Sequence, residues 1–155
     1  MVVVYTTGGF CAISINLDYS IKPILLVDDE KDILTLYHEC LEAWGYPAIS
    51  FNNPIEALNY IDNKNNICNH SLIITDYRMP QMNGLEFIQH IREKYGIKND
   101  DDDCQLKVIL ISAFVISGFT LNEKVRPLKI DKIIEKPIPL GLLKNEIEKL
   151  LGYPF

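Results

Sequence analysis

Unbroken apolar runs and helically spaced apolar stripes take turns along this chain. Leu72, Ile73 and Ile74 form a continuous run that stops at Asp76, where Pro80, Asn83 and Gly84 take over as turn residues. Such a run fits a strand covered on both faces, since a strand with one wet side would alternate polar and apolar positions. Pro23 to Val27 has the same form and ends in Asp28-Asp29-Glu30. Lys107 to Ala113 ends in Ser112-Ala113, Ile133-Ile134-Glu135 ends in Lys136-Pro137, and Ala48 to Phe51 is a shorter strand.

Between these runs the period changes. Ile33, Tyr37, Cys40, Leu41 and Trp44 recur at helical spacing until Gly45 stops them, with Glu30 and Asp32 in the first turn, where the helix dipole favours negative charge. Asn53-Pro54-Ile55-Glu56 reads as an N-cap, a proline at the first helical position and a capping-box glutamate, opening a helix through Ile61. Leu85, Ile88, Ile91 and Tyr95 predict a third helix ending at Gly96. Val115 to Arg126 has weaker periodicity, limited by Pro127, and Leu140, Leu143, Ile147, Leu150 and Leu151 form a final stripe up to Gly152. Lys98 to Asp103 reads as a solvated loop, because its aspartates lack the alternating spacing and glycine of a calcium loop.

Strand and helix patterns thus alternate five times, which predicts right-handed crossovers and helices on both faces of a parallel sheet. Open sheets of this kind place ligands just outside the carboxyl ends of their strands. If the strands are parallel, those ends gather Asp28, Asp29, Asp76, Ser112 and Lys136. Taken singly, each has an ordinary explanation: a helix cap, a turn residue, a backbone-bonded hydroxyl, a surface cation. Together they form three carboxylates, a hydroxyl and an ammonium, the groups that hold a divalent cation and a transferable phosphoryl group. Like charges about 4 Å apart repel by roughly 4 kcal/mol at an effective dielectric near 20, so without metal the pocket is expected to be strained.

The chain of 155 residues has room for one substantial core. Its net charge of -6 excludes general nucleic-acid binding, which needs a basic surplus to displace counterions. Met1 to Ser20 carries no basic residue and no apolar stretch long enough for a signal or a membrane span. Cys11, Cys40, Cys68 and Cys104 show no metal-type pairing and read as reduced thiols of a cytoplasmic protein.

The Asp28-Asp29 pair, the Asp76-x-x-Met79-Pro80-x-Met82-x-Gly84 run, Ser112-Ala113 and Lys136-Pro137, in that order, strongly resemble the receiver domain of two-component response regulators. The likeness spans about Ile21 to Leu151. It implies a flavodoxin-like, doubly wound α/β fold with five strands in the order 2-1-3-4-5, as one receiver domain over residues 21–155. Residues 1–20 would be an N-terminal extension, and no output domain is expected after the last helix. By the same resemblance Asp76 is the phosphoacceptor. Asp29, Asp76 and the backbone carbonyl of Arg78 ligate Mg2+, and Asp28 holds a metal-bound water. Lys136 and Ser112 contact the phosphoryl oxygens. The donor would be a histidine kinase or phosphotransfer protein and the output a switch in binding to a protein target, with no membrane or nucleic-acid partner and no turnover of an external substrate.

Two rivals fail on local chemistry. A flavodoxin-type cofactor site wants a Ser/Thr/Gly-rich phosphate loop after the first strand, where Asp28-Asp29-Glu30 would repel phosphate. A haloacid dehalogenase-type phosphatase wants a second aspartate two positions beyond the nucleophile, where Arg78 stands. The alternative from another class is a receiver-like interaction module that works without phosphorylation. The sequence departs from its family at Ile133, where an aromatic switch residue is usual, so the signal is expected to leave through Ala113 to Arg126. Arg78 and Phe114 would flank the path of attacking water and slow the loss of the phosphoryl group.

Overall fold

In the computed structural model, residues 22–64, 67–95, 106–113 and 126–151 are described. The N-terminal extension, the Asp101–Asp103 run, Phe114 and nearly all of the expected helix over Val115 to Arg126 lie outside them. The described elements are β1 (Ile24–Val27), α1 (Lys31–Ala43), β2 (Ala48–Phe51), α2 (Pro54–Lys64), β3 (Leu72–Asp76), α3 (Gly84–Tyr95), β4 (Lys107–Ser112), β5 (Lys132–Glu135) and α4 (Leu140–Leu151). Short 3-10 turns occupy Ile67–Asn69 and Arg126–Leu128.

All five strands are parallel, in the order β2-β1-β3-β4-β5. The apolar runs dictate this. Every residue of β1 and of β3 is buried, as both faces of a central strand must be when helices cover both sides. Because side chains alternate across a strand, each run feeds two cores. Leu25, Val27, Ile73 and Val108 point to the side of Ala57, Ile61, Phe87 and Ile91 from α2 and α3. Ile24, Leu26, Leu72, Ile74, Ile109 and Ile134 meet Leu34, Tyr37 and Leu41 of α1 and Leu143 and Ile147 of α4.

Helix boundaries follow local chemistry. Gly45 takes φ 86° after α1, a left-handed conformation that a side chain disfavours. The Asn53 carboxamide accepts the Ile55 N–H at 2.8 Å at the start of α2. At α3 the sequence held a capping box that reading Asn83 as a turn residue overlooks. The Asn83 side chain accepts the Leu85 and Glu86 N–H groups, both at 3.0 Å, and the Glu86 carboxylate accepts the Asn83 N–H at 2.9 Å. On β5, Lys132 reaches Glu146 of α4 at 3.2 Å, fastening the last strand to the last helix.

The cysteine reading requires one correction. Cys40 is a free thiol, but Cys68 is disulfide-bonded. It lies in the 3-10 turn just before β3, and disulfide connectivity joins residues distant in sequence, so spacing along the chain gave no sign of it.

Candidate functional site

The sheet register sets the site. Val27 pairs with Thr75, so Asp28 and Asp76 emerge side by side where β1 and β3 end. Asp76 in turn pairs with Ile111, which puts Ser112 at the adjoining edge of β4. Ser112 pairs with Glu135, and its carbonyl oxygen accepts the Lys136 N–H at 2.8 Å. Lys136 therefore starts one strand beyond Ser112, and its long side chain runs back across β4 to the acidic end of β3 and β1. The Lys136–Pro137 peptide is cis.

There the ammonium meets three carboxylates. Lys136 Nζ lies 2.7 Å from Asp76 Oδ1, 3.0 Å from Asp28 Oδ2 and 3.0 Å from Glu30 Oε1. Asp28 and Asp76 are buried, whereas the Glu30 side chain is 62% exposed at the lip. Backbone donors hold the other carboxylate oxygens. Asp28 Oδ1 accepts the Glu30 N–H at 2.9 Å, and Asp76 Oδ2 accepts the Arg78 N–H at 2.6 Å. Both acids are thus fixed by the chain that turns away from their own strands.

Gly84 makes room for this turn. A Cβ there would collide with the Asp76 carbonyl oxygen and come within 2.9 Å of Leu110 Cδ1, so only glycine lets α3 begin so close to the end of β3. The Gly84 N–H donates to the Tyr77 carbonyl at 2.9 Å, closing the loop that carries Arg78 and Met79. Met79 is buried against the α2 and α3 side of the core.

Charge settles unevenly over the cluster. Burial pushes the Asp28 carboxyl above its ordinary value, and the Glu30 N–H and Lys136 only partly oppose it. Burial would lower the Lys136 ammonium, but its bonds to Asp76, Asp28 and Glu30 overcome that and raise it. Tyr37 on α1, buried beneath, is raised by burial and feels the charges of Lys136, Asp28, Asp76 and Glu30.

The structure thus brings Asp28, Asp76, Ser112 and Lys136 to one edge of the sheet. Asp29 follows Asp28 and is half-buried, and no hydrogen bond or ion pair joins its carboxylate to another described residue. The expected repulsion among the carboxylates is set against the Lys136 ammonium, which sits among them. Glu30 and Tyr37 went unrecognised as neighbours of the site. Glu30 read as a first-turn acid and is the N-cap residue, and Tyr37 read only as part of a helical stripe.

A cation already lies between Asp28 and Asp76, and the donors on offer are hard oxygens, which fits Mg2+. Among the described residues no group of three His, Cys, Asp or Glu side chains is arranged to hold a metal ion. Mg2+ does not need one, since it keeps several waters and is held by one or two carboxylates. Ile133 is 40% exposed on β5, an apolar side chain facing outward rather than part of the core. Among the described residues no helix is long and apolar enough to cross a membrane.

Comparison with known proteins places this geometry in context. Residues 24–148 match the family model described as the response regulator receiver domain. The response regulator receiver protein CpdR of Brucella abortus is 32% identical over 130 residues, covering 84% of this chain and 97% of that one. The polar-differentiation response regulator DivK of Brucella anthropi is 28% identical over 131 residues, with the same coverage of 84% and 97%. Among solved structures, the response regulator TrrA of Thermotoga maritima, in complex with Mg(2+)-BeF, superposes with a TM-score of 0.65 at 32% identity, covering 84% of this chain and 99% of that one. The chemotaxis protein CheY4 of Vibrio cholerae shares the fold, with a TM-score of 0.70 at 20% identity, covering 85% of this chain and 100% of that one.

Proposed function

The chain belongs to the response regulator receiver family, and from that premise we propose that it is a phosphoacceptor switch whose acceptor is Asp76. The observation that carries this reading is the placement of the Asp76 carboxylate, buried at a strand end between the Lys136 ammonium and the Arg78 N–H.

Phosphoryl transfer asks a protein mainly for position and charge. An oxygen of Asp76 attacks the phosphorus of a phosphohistidine on a histidine kinase or phosphotransfer protein. The new O–P bond forms as the P–N bond breaks, and the imidazole leaves with the bonding electron pair and takes a proton from water. Lys136 then exchanges a carboxylate contact for a phosphoryl oxygen, and Ser112 takes another. We assign Asp29, Asp76 and the Arg78 carbonyl as the groups that would hold a Mg2+ ion, with Asp28 beside them to orient its hydration. When bound, the ion neutralises charge on the phosphoryl oxygens. The acyl phosphate stores free energy that biases a conformational equilibrium, and the protein signals by binding a target protein. We place it in the cytoplasm, together with its phosphoryl donor.

The receiver-like module that works without phosphorylation makes the opposite prediction in one assay. Incubation with acetyl phosphate and Mg2+ should add one phosphate by intact mass, and Asp76→Asn should abolish it. Equal labelling of Asp76→Asn, or none of the wild type, would refute the assignment.

A further inference from the structure

Glu30 occupies the N-cap position of α1, yet its side chain makes no hydrogen bond to the helix. Short polar residues are preferred there because they fold back onto the first free N–H groups. Glu30 instead reaches Lys136, 106 residues later in the chain, at 3.0 Å. An ammonium has three protons to donate. Hydrogen bonds to Asp28 and Glu30 take two of them, and Asp76 Oδ1 lies 2.7 Å from the same nitrogen, so a phosphoryl oxygen arriving at Lys136 competes with carboxylates already gathered around it.

The three contacts differ in how readily they yield. The side chains of Asp28 and Asp76 are 1% and 7% exposed, so losing the ammonium would leave a charge with little water to replace it. Glu30 is 62% exposed, and water takes over its oxygen at small cost. The same carboxylate stands where a phosphoryl donor, itself an anion, must arrive.

We propose that Glu30 is a positioning residue that occupies an ammonium proton of Lys136 until a phosphoryl group displaces it, and so sets how readily the site accepts a donor. This rests on the reading of Asp76 as phosphoacceptor. Glu30 then acts through Lys136 in two ways, by competing for its proton and by repelling the donor. Both act on donor capture rather than on transfer once the donor is in place.

Wild type, Glu30→Gln and Glu30→Ala are compared in initial rate of phosphorylation across a range of acetyl phosphate concentrations, at fixed saturating Mg2+ and at low and high salt. Both variants should be about two- to fivefold faster at limiting donor, the range expected of an exposed ion pair, with little change at saturating donor and a smaller effect at high salt. The second readout needs neither metal nor donor: the 15N resonance of the Lys136 ammonium in uniformly labelled protein, assigned by its loss in Lys136→Met. It should move in both Glu30 variants. An unmoved ammonium signal, or equal rates at limiting donor, would overturn the proposal. If neither wild type nor variant is phosphorylated, the phosphoacceptor reading fails instead, and the resonance still decides whether Glu30 engages Lys136.

Discussion

Replacing Lys136 with methionine keeps much of the side chain's bulk and removes the one cation that, among the described residues, touches Asp28, Glu30 and Asp76. Asp28 Oδ2 and Asp76 Oδ1 both contact Nζ, at 3.0 Å and 2.7 Å, so these oxygens are at most about 5.7 Å apart. Two unit charges at that distance repel by about 3 kcal/mol at an effective dielectric of 20. Removing one partner of a buried ion pair typically costs about 3–5 kcal/mol. Glu30 is largely hydrated and adds little, and Asp28, already raised by burial, relieves part of the repulsion by taking up a proton. A loss of about 2–4 kcal/mol is therefore expected in metal-free protein at pH 7.5. For a chain of this size that corresponds to a fall in melting temperature of roughly 5–15 °C.

The sign of the pH effect follows from Asp28. Its folded pKa lies above the unfolded value of 3.8, so the folded state binds the proton first and gains stability as pH falls through the folded pKa. Without Lys136 that pKa rises further, and the gap between variant and wild type should narrow from pH 7.5 to pH 5. Mg2+ should narrow it too, because a second cation can then offset the carboxylates. Scanning calorimetry in EDTA at both pH values, and again with Mg2+, measures each term. A variant as stable as wild type in EDTA at pH 7.5 would show that the ammonium is not what holds the acidic cluster together.

Three further outcomes are expected. Gly84→Ala forces a methyl group against the Asp76 carbonyl and Leu110, and should cost about 1–3 kcal/mol in urea unfolding while slowing phosphorylation of Asp76; full stability and rate would remove the close approach from the account. His70 is buried and its folded pKa is lowered by burial below 6.5, so the stability it allows is complete above about that pH and lost as pH falls toward the folded pKa. His70→Gln should flatten the fall in melting temperature between pH 7 and pH 5, and an unchanged slope would clear His70 as its cause. Iodoacetamide should label Cys40 but not Cys68 in unfolded, unreduced protein, and both after reduction; peptide mapping that finds Cys68 alkylated without reductant would contradict the disulfide.

How much could be read in advance depended on how far each feature reaches along the chain. The strands were legible because double-sided burial leaves unbroken apolar runs such as Leu72 to Ile74, and parallel pairing brings their ends together. The convergence of Asp28, Asp76, Ser112 and Lys136 followed from that alone. Side-chain reach was not legible. Nothing in the local sequence says that Glu30 would leave its own helix to meet a residue 106 positions away, or that Tyr37 would lie beneath the same cluster. The Asn83-x-x-Glu86 capping box was local and available, but the neighbouring turn residues masked it. Cys68 depended on connectivity that no spacing encodes.

The ion cluster has a consequence for the timing of synthesis. Asp28 and Lys136 stand 108 positions apart, and Lys136 also follows Asp76 by about 60 residues. At roughly 5–20 residues per second, a nascent chain carries the Asp76 carboxylate for about 3–12 seconds before the lysine exists, and for longer before β5 can dock. In that interval β1 and β3 can pair, but the carboxylates at their ends have no ammonium between them. A growing or truncated chain therefore presents a more acidic end to the sheet than the finished one. The cluster of Asp28, Asp76 and Lys136 is therefore complete only once the last strand has been made and seated.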